Sequence, residues 1–282
     1  MDATMATCAV SVSVADVRRF PDSSSELVTQ ALLNVPVLCG EVRDEWVFAT
    51  LSDYEGWMRT ADLAEPAVKG FTKIGETCAT PLDLVAVVQI AHTSLYADPA
   101  GQEIYDTAYL STVLPLLDTT HADYLQIALP DEQVAWVSRA AVSVQRQDEA
   151  YPHTSLQKVI EHAQSFLGVP YLWGGTSWKG IDCSGFVQVC YRMAGYCLPR
   201  DADQQHDALP LTVAREAMQM GDLIFFGSER ITHVGMALNA QEFIHASGRN
   251  DCRVVINSFD PTAPHYSARL ADVVWAIKRV VS

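Results

Sequence analysis

Hydrophobic positions change their period once along this chain, near residue 150. Before that point apolar residues come in short runs alternating with polar ones, and turn residues such as Pro21-Asp22 and Asp98-Pro99-Ala100-Gly101 interrupt them. This cadence predicts short strands. After it, Leu156, Val159, Ile160, Ala163, Phe166 and Leu167 recur at helical intervals. A helix over 155–167 follows, with Thr154 or Ser155 as N-cap and Gly168 as its stop. A second, amphipathic helix carries Cys183 in its first turn and ends at Gly195. Beyond it, residues 222–226, 231–238, 242–246, 253–258 and 273–280 read as successive strands. Helices first and strands afterward predict an α+β domain built on an antiparallel sheet.

The first half also repeats itself. Trp57, in Gly56-Trp57-Met58, aligns with Trp136, in Ala135-Trp136-Val137, at an offset of 79, and Trp46-Val47-Phe48 aligns with Tyr124-Leu125-Gln126 at 78. Two copies of one small all-β barrel, each closing on a Trp-containing strand, are the simplest account. The polar stretch Gln145-Arg146-Gln147-Asp148-Glu149 then reads as a linker. The domains expected are 1–66, 67–147 and 148–282.

Composition sets the remaining bounds. With 282 residues, 49% hydrophobic and 19% charged, the chain is globular and long enough for two or three cores. Its net charge of −15 disfavours nucleic acid and anionic membrane as partners, and no basic run offsets it. The N-terminal segment shows no charged n-region followed by an apolar h-region, which predicts a cytoplasmic protein; an exported chain lacking its leader would read the same way. Seven cysteines without regular short spacing predict reduced thiols. Cys183, Cys190 and Cys197 recur every seven residues, which reads as a buried helical stripe rather than a metal site.

The candidate chemistry centres on Asp182-Cys183-Ser184-Gly185-Phe186. Backbone N–H groups at a helix N-terminus favour negative charge, so Cys183 is expected to shift toward thiolate, the reactive form. His233, in Ile-Thr-His-Val-Gly-Met, and His245, in Phe-Ile-His-Ala-Ser-Gly, each sit in a strand-like run. A thiol, a base and a group that orients the base are the minimum for covalent acyl transfer.

Tyr171-Leu172-Trp173-Gly174-Gly175, Asp182-Cys183-Ser184-Gly185-Phe186, Gly221-Asp222-Leu223-Ile224-Phe225-Phe226 and the two histidine motifs, in this order, resemble the NlpC-type cell-wall cysteine peptidases over about residues 152–282. The preceding barrels resemble bacterial SH3-like domains. The whole chain thus looks like two SH3-like barrels followed by a papain-like α+β domain with helices packed on an antiparallel sheet. Its likeness is to the cytoplasmic γ-D-glutamyl-L-diamino acid endopeptidases that recycle murein peptides.

The resemblance implies Cys183 as nucleophile, His233 as general base, His245 as its orienter and the Tyr171 hydroxyl as an oxyanion donor, although Tyr171 is equally placed to be a core aromatic with a satisfied hydroxyl; Trp173 either walls the cleft or packs in the core. It implies a small murein peptide as substrate, with no metal and no cofactor. Asp182 and Ser184 would grip the free α-amine of an N-terminal L-alanine, although Asp182 is equally placed to be a helix N-cap. Tyr54 of the first barrel would lean over the cleft, assisted by Glu26, whose other reading is a solvated loop carboxylate. Arg200 and Asp201 fall where the family lines its cleft. Arg200 would hold a substrate carboxylate, or tie Asp201 or another local acid in a structural pair. Three alternatives stand beside recycling: an autolysin or effector on intact wall, an acyltransferase, and a non-catalytic wall-binding protein. The oligomeric state and the choice between diaminopimelate and lysine are left open.

Overall fold

The computed structural model describes residues 6–67, 84–249 and 251–281, and the chain divides into two units, Met1–Ala150 and Tyr151–Ser282. The expected boundary at 66/67 adjoins residues 68–83, which lie outside the described residues, as does Cys78.

In the first unit, strands β1 (Ala6–Val10), β2 (Val14–Arg18), β3 (Leu27–Leu32), β4 (Pro36–Arg43), β5 (Trp46–Thr50), β6 (Glu55–Arg59) and β7 (Leu63–Ala64) form one antiparallel sheet in the order β3-β2-β6-β5-β4-β1-β7. Then β8 (Leu84–Val88), β9 (His92–Tyr96), β10 (Ile104–Tyr109), β11 (Val113–Asp118), β12 (Tyr124–Leu129), β13 (Gln133–Ser138) and β14 (Val142–Arg146) form a second, in the order β10-β9-β13-β12-β11-β8-β14. The second order is the first shifted by seven strands, so the sequence repeat is a repeat of topology. The register agrees: Phe48 faces Trp57 in one sheet and Gln126 faces Trp136 in the other.

Two sequence expectations need correction. The Trp-containing strand does not end each copy; a 3₁₀ turn and one more strand follow it, β7 and β14. Gln145 and Arg146, read as linker, belong to β14, where they pair with Val85 and Leu84. Their side chains are polar, but their backbone has a long-range partner, and strand pairing is made by the backbone.

Alternate residues point inward. Val10, Ala15, Val17, Val37, Ala49 and Met58 fill the first core, and Ala86, Val88, Leu95, Leu114, Leu125 and Ile127 the second. Leu33, just after β3, is buried in the second core. Asn34 Nδ2 donates to the Ala128 carbonyl at 3.4 Å, and Glu65 and Asp131 exchange hydrogen bonds, at 3.0 Å between their backbones and 3.1 Å to the Asp131 carboxylate. The two barrels therefore share apolar burial and polar contacts within one unit.

The second unit contains α1 (Leu156–Ser165), the short pair β15 (Thr176–Ser177) and β16 (Gly180–Ile181), α2 (Cys183–Arg192), α3 (Ala202–Ala208) and α4 (Ala268–Asp272). Its sheet comprises β17 (Leu211–Thr212), β18 (Leu223–Gly227), β19 (Ile231–Ala237), β20 (Glu242–Ser247), β21 (Arg253–Ser258) and β22 (Val274–Arg279), antiparallel in the order β17-β22-β18-β19-β20-β21. Contrary to the amphipathic reading, α2 is buried from Cys183 to Tyr191, because β19 and β20 cover one side and α1 and α3 the others. The cysteine stripe shortens to two members: Cys190 is fully buried, whereas Cys197 lies beyond the helix and is exposed. No helix among the described residues is long and apolar enough to cross a membrane.

Candidate active site

Cys183 opens α2, and Asp182 is its N-cap, accepting from the Gly185 N–H at 2.7 Å on Oδ1. Asp182 Oδ2 accepts from the Gly174 N–H at 2.9 Å, tying the Tyr171–Gly175 loop to the helix start. Gly174 turns there with φ +76°, a conformation that favours glycine. Arg200 completes the cluster. It is 1% exposed, and it donates to Asp182 Oδ1 at 3.0 Å, to Asp182 Oδ2 at 2.6 Å and to Ser184 Oγ at 2.9 Å. Ser184 Oγ in turn donates to Asp182 at 3.3 Å, and Gln205 Nε2 donates to the Ser184 carbonyl at 3.0 Å.

This network decides between the alternatives for Arg200 and shows what Asp182 already holds. Arg200 takes the second of its two readings, the structural pair: its fork is held bidentately by a local acid, Asp182, 18 residues away, rather than presented to a substrate carboxylate. Asp182 takes the N-cap place the sequence allowed it, and its carboxylate is already partnered: its oxygens receive two backbone N–H groups, the Ser184 hydroxyl and a guanidinium. Asp201 sits half-buried at the N-cap of α3.

The sulfur of Cys183 lies against β19, where the Val234 N–H, next to His233, hydrogen-bonds it. Burial, then the charge of Asp182, pushes the thiol up to about 12, against the pull of the Val234 N–H, Arg200 and the Ser184 N–H. The expected shift toward thiolate is thus reversed. A helix terminus contributes at most ~2 kcal/mol, whereas burial of an ion without a full set of partners costs several.

Across the sheet, His233 Nε2 lies 2.8 Å from His245 Nδ1, with the rings edge to face at 79°. His245 Nε2 lies 2.9 Å from Asn257 Oδ1 on β21. Rings of Phe226 and Phe243 pack against the two histidines, centroids 5.6 and 5.3 Å away. This dry setting lowers both imidazoles: burial, then repulsion from His245 and Arg269, takes His233 well below its ordinary value, and burial takes His245 to about 4. Both rings are neutral at pH 7, as a base and a neutral orienter must be.

Tyr171 is half-buried, and its phenol is pushed upward by burial and then by the charges of Cys183 and Asp182, so it keeps its proton and remains a donor. Gly248 lies under its ring; a Cβ there would come within 2.9 Å of Tyr171 Cζ. Trp173 is 60% exposed, which rules out a core role. Tyr54 and Glu26 belong to the unit Met1–Ala150. Tyr54 packs against the first barrel core, and Glu26 accepts from Arg19 Nε at 2.6 Å. Asn257 is the residue that sequence reasoning missed; its only local signal is a polar side chain among the apolar residues of β21. Among the described residues no group of three His, Cys, Asp or Glu is placed to hold a metal ion.

The arrangement is suited to covalent acyl transfer. In such a reaction Cys183, which holds its proton at rest, would yield it to His233 as the sulfur attacks a carbonyl carbon. His233 would then return that proton to the departing amine, and water would cleave the thioester. The Cys183 N–H at the helix start and the Tyr171 hydroxyl are the donors such a reaction would use for the oxyanion, each such donor contributing ~3 kcal/mol in comparable hydrolases.

Known proteins carry the same organisation. The NlpC/P60 family model matches residues 168–271, and a bacterial dipeptidyl-peptidase SH3 domain matches 17–63. A γ-D-glutamyl-L-lysine dipeptidyl-peptidase of Bacillus cereus is 30% identical over 79% of this chain and 68% of its own length. Dipeptidyl-peptidase 6 of Lysinibacillus sphaericus is 28% identical over 91% and 93%. A solved structure of an NlpC/P60 family protein from Bacillus cereus superposes with a TM-score of 0.82 at 25% identity, covering 97% of this chain and 99% of that one. With a cysteine opening a buried helix, a histidine pair on the facing sheet and relatives matched along most of their length, the chain belongs to the NlpC/P60 family of cysteine peptidases.

Proposed function

We propose that this peptidase hydrolyses the amide joining the γ-carboxyl of D-glutamate to an L-diamino acid in small murein peptides whose N-terminal L-alanine amine is free, releasing L-Ala-D-Glu. The observation that carries the reaction class is the line Cys183, His233, His245, in which a buried thiol faces the strand of a neutral imidazole held at 2.8 Å by a second one. The substrate class is supported by the activity named for relatives at 30% identity, γ-D-glutamyl-L-lysine dipeptidyl-peptidase. An enzyme that releases two residues from an amino terminus must sense that terminus. In this chain the fixed negative charge beside the nucleophile is Asp182, whose side chain is 11% exposed. We place the enzyme in the cytoplasm, where recycled peptides are free of the wall.

Because Arg200 already shares the Asp182 carboxylate, the ammonium gains less than an unpaired carboxylate would give. A contribution near the lower end of ~1.5–3 kcal/mol corresponds to roughly tenfold in kcat/KM. The test compares L-Ala-γ-D-Glu-diaminopimelate, its lysine analogue, their N-acetylated forms and intact sacculi. Free peptides should be cleaved at least about tenfold better than acetylated ones, and Cys183→Ala should abolish turnover. Equal cleavage of free and acetylated peptides, or comparable release from sacculi, would replace this reading with an autolysin acting on intact wall.

A further inference from the structure

We propose that Asn257 is a positioning residue: its side-chain amide dictates which nitrogen of each histidine carries the proton, and so leaves His233 Nδ1 bare as the base for Cys183. The proposal rests on the cysteine-peptidase reading of the site.

The argument starts at the end of the line farthest from the nucleophile. Asn257 Nδ2 donates to the His265 carbonyl at 3.1 Å. That carbonyl is itself held, since it also accepts from the Ser258 N–H at 3.0 Å, and the His265 ring meets Glu242 Oε1 at 2.9 Å. A flipped amide would set its oxygen against the carbonyl oxygen, so Oδ1 must be the atom facing His245. Oδ1 can only accept. His245 Nε2, 2.9 Å away, therefore carries a proton.

A neutral imidazole has one N–H, which leaves His245 Nδ1 as an acceptor. His233 Nε2 lies 2.8 Å from it and must donate. Neutral His233 has then used its only proton, and Nδ1 is free to accept from the thiol. Burial keeps both rings neutral, so the choice propagates without ambiguity from an amide on β21 to the base on β19. Register supports the geometry: Asn257 faces Phe243 across the β20–β21 ladder, two residues from His245 and on the same face of the sheet. The other charged groups bearing on the histidine pair are Arg269 on α4 and Asp251 before β21.

Without the amide, the opposite tautomer of His245 becomes accessible. It would donate from Nδ1, take up His233 Nε2 as an acceptor and turn His233 Nδ1–H toward the sulfur, where it cannot receive a proton. Asn257→Leu should therefore lower kcat by roughly 10- to 100-fold, the range for an unsatisfied buried donor, with KM changed by less than about twofold. Asn257→Asp restores the acceptor but adds a charge beside His245. It should recover part of kcat and move the acid limb of the kcat–pH profile upward by at least about one unit, because the carboxylate favours a protonated histidine pair.

Selective ¹⁵N-histidine labelling of the full chain, with two-bond ¹H–¹⁵N spectra assigned through His233→Ala and His245→Ala, reads the tautomers without any substrate. Both rings should carry the proton on Nε2 in the wild type, and Asn257→Leu should introduce the Nδ1–H form. A wild-type ring protonated on Nδ1, or an Asn257→Leu protein that is folded by circular dichroism with unchanged tautomers and unchanged kcat, would overturn the proposal. Turnover that survives Cys183→Ala would instead overturn the peptidase reading while leaving the tautomer result standing.

Discussion

Replacing Arg200 with methionine removes the cation that neutralises Asp182 and leaves a carboxylate in a site where its side chain is only 11% exposed. Three hydrogen bonds disappear, two to Asp182 at 3.0 and 2.6 Å and one to Ser184 at 2.9 Å. Stripping one partner from a buried ion pair costs ~3–5 kcal/mol. Asp182 keeps the Gly174 and Gly185 N–H groups at 2.9 and 2.7 Å, so the loss belongs near the lower end, about 3 kcal/mol. Urea unfolding followed by tryptophan fluorescence measures it, with Trp173, Trp178 and Trp275 reporting on the unit Tyr151–Ser282. For a slope of about 1–3 kcal/mol/M the midpoint should fall by about 1–3 M. Adding Asp182→Asn removes the stranded charge and should restore about 1–2 kcal/mol, a coupling expected of residues in direct contact. A single-variant loss below about 1 kcal/mol, or a double variant as unstable as the two single losses added together, would refute the ion-pair account of how the start of α2 is held.

Because burial holds the Cys183 thiol near 12 at rest, iodoacetamide at pH 7 should label the exposed Cys197 and Cys252 before Cys183, as mass spectrometry of the peptides would show; Cys183 labelled first would mean that it rests as a thiolate paired with a protonated histidine. His245 titrates near 4 in the folded protein against about 6.5 unfolded, so its contribution to stability is full above pH 6.5 and is lost as pH falls toward 4. Between those values the unfolded state binds the extra proton, and about 2 kcal/mol should be gone at pH 5. Thermal unfolding of wild type and His245→Asn across pH 5–7 checks this, and identical pH slopes for the two proteins would refute it.

Much of the architecture is local and is therefore legible in the sequence. The offsets of 78 and 79 between barrel strands, the helical spacing from Leu156 to Phe166 and the strand runs after residue 220 each depend on side chains within a few residues, which is the range over which periodicity acts. The motifs around Cys183, His233 and His245 are local in the same sense, and they sufficed to indicate the reaction class. Tertiary structure decided what depends on distant partners. The Asp182–Arg200 pair spans 18 positions, the Asn257–His245 contact requires the β20–β21 register, and Leu33 fills a core built by the following barrel. Neither the polar Gln145-Arg146 nor the apparently amphipathic α2 could be assigned from its own residues, because β8 pairs with the former and sheet and helices cover the latter. The ionisation of Cys183 belongs to the same class. A helix N-terminus is visible in sequence, but the burial that outweighs it is summed over every element packed around the sulfur, and only the folded chain brings those together.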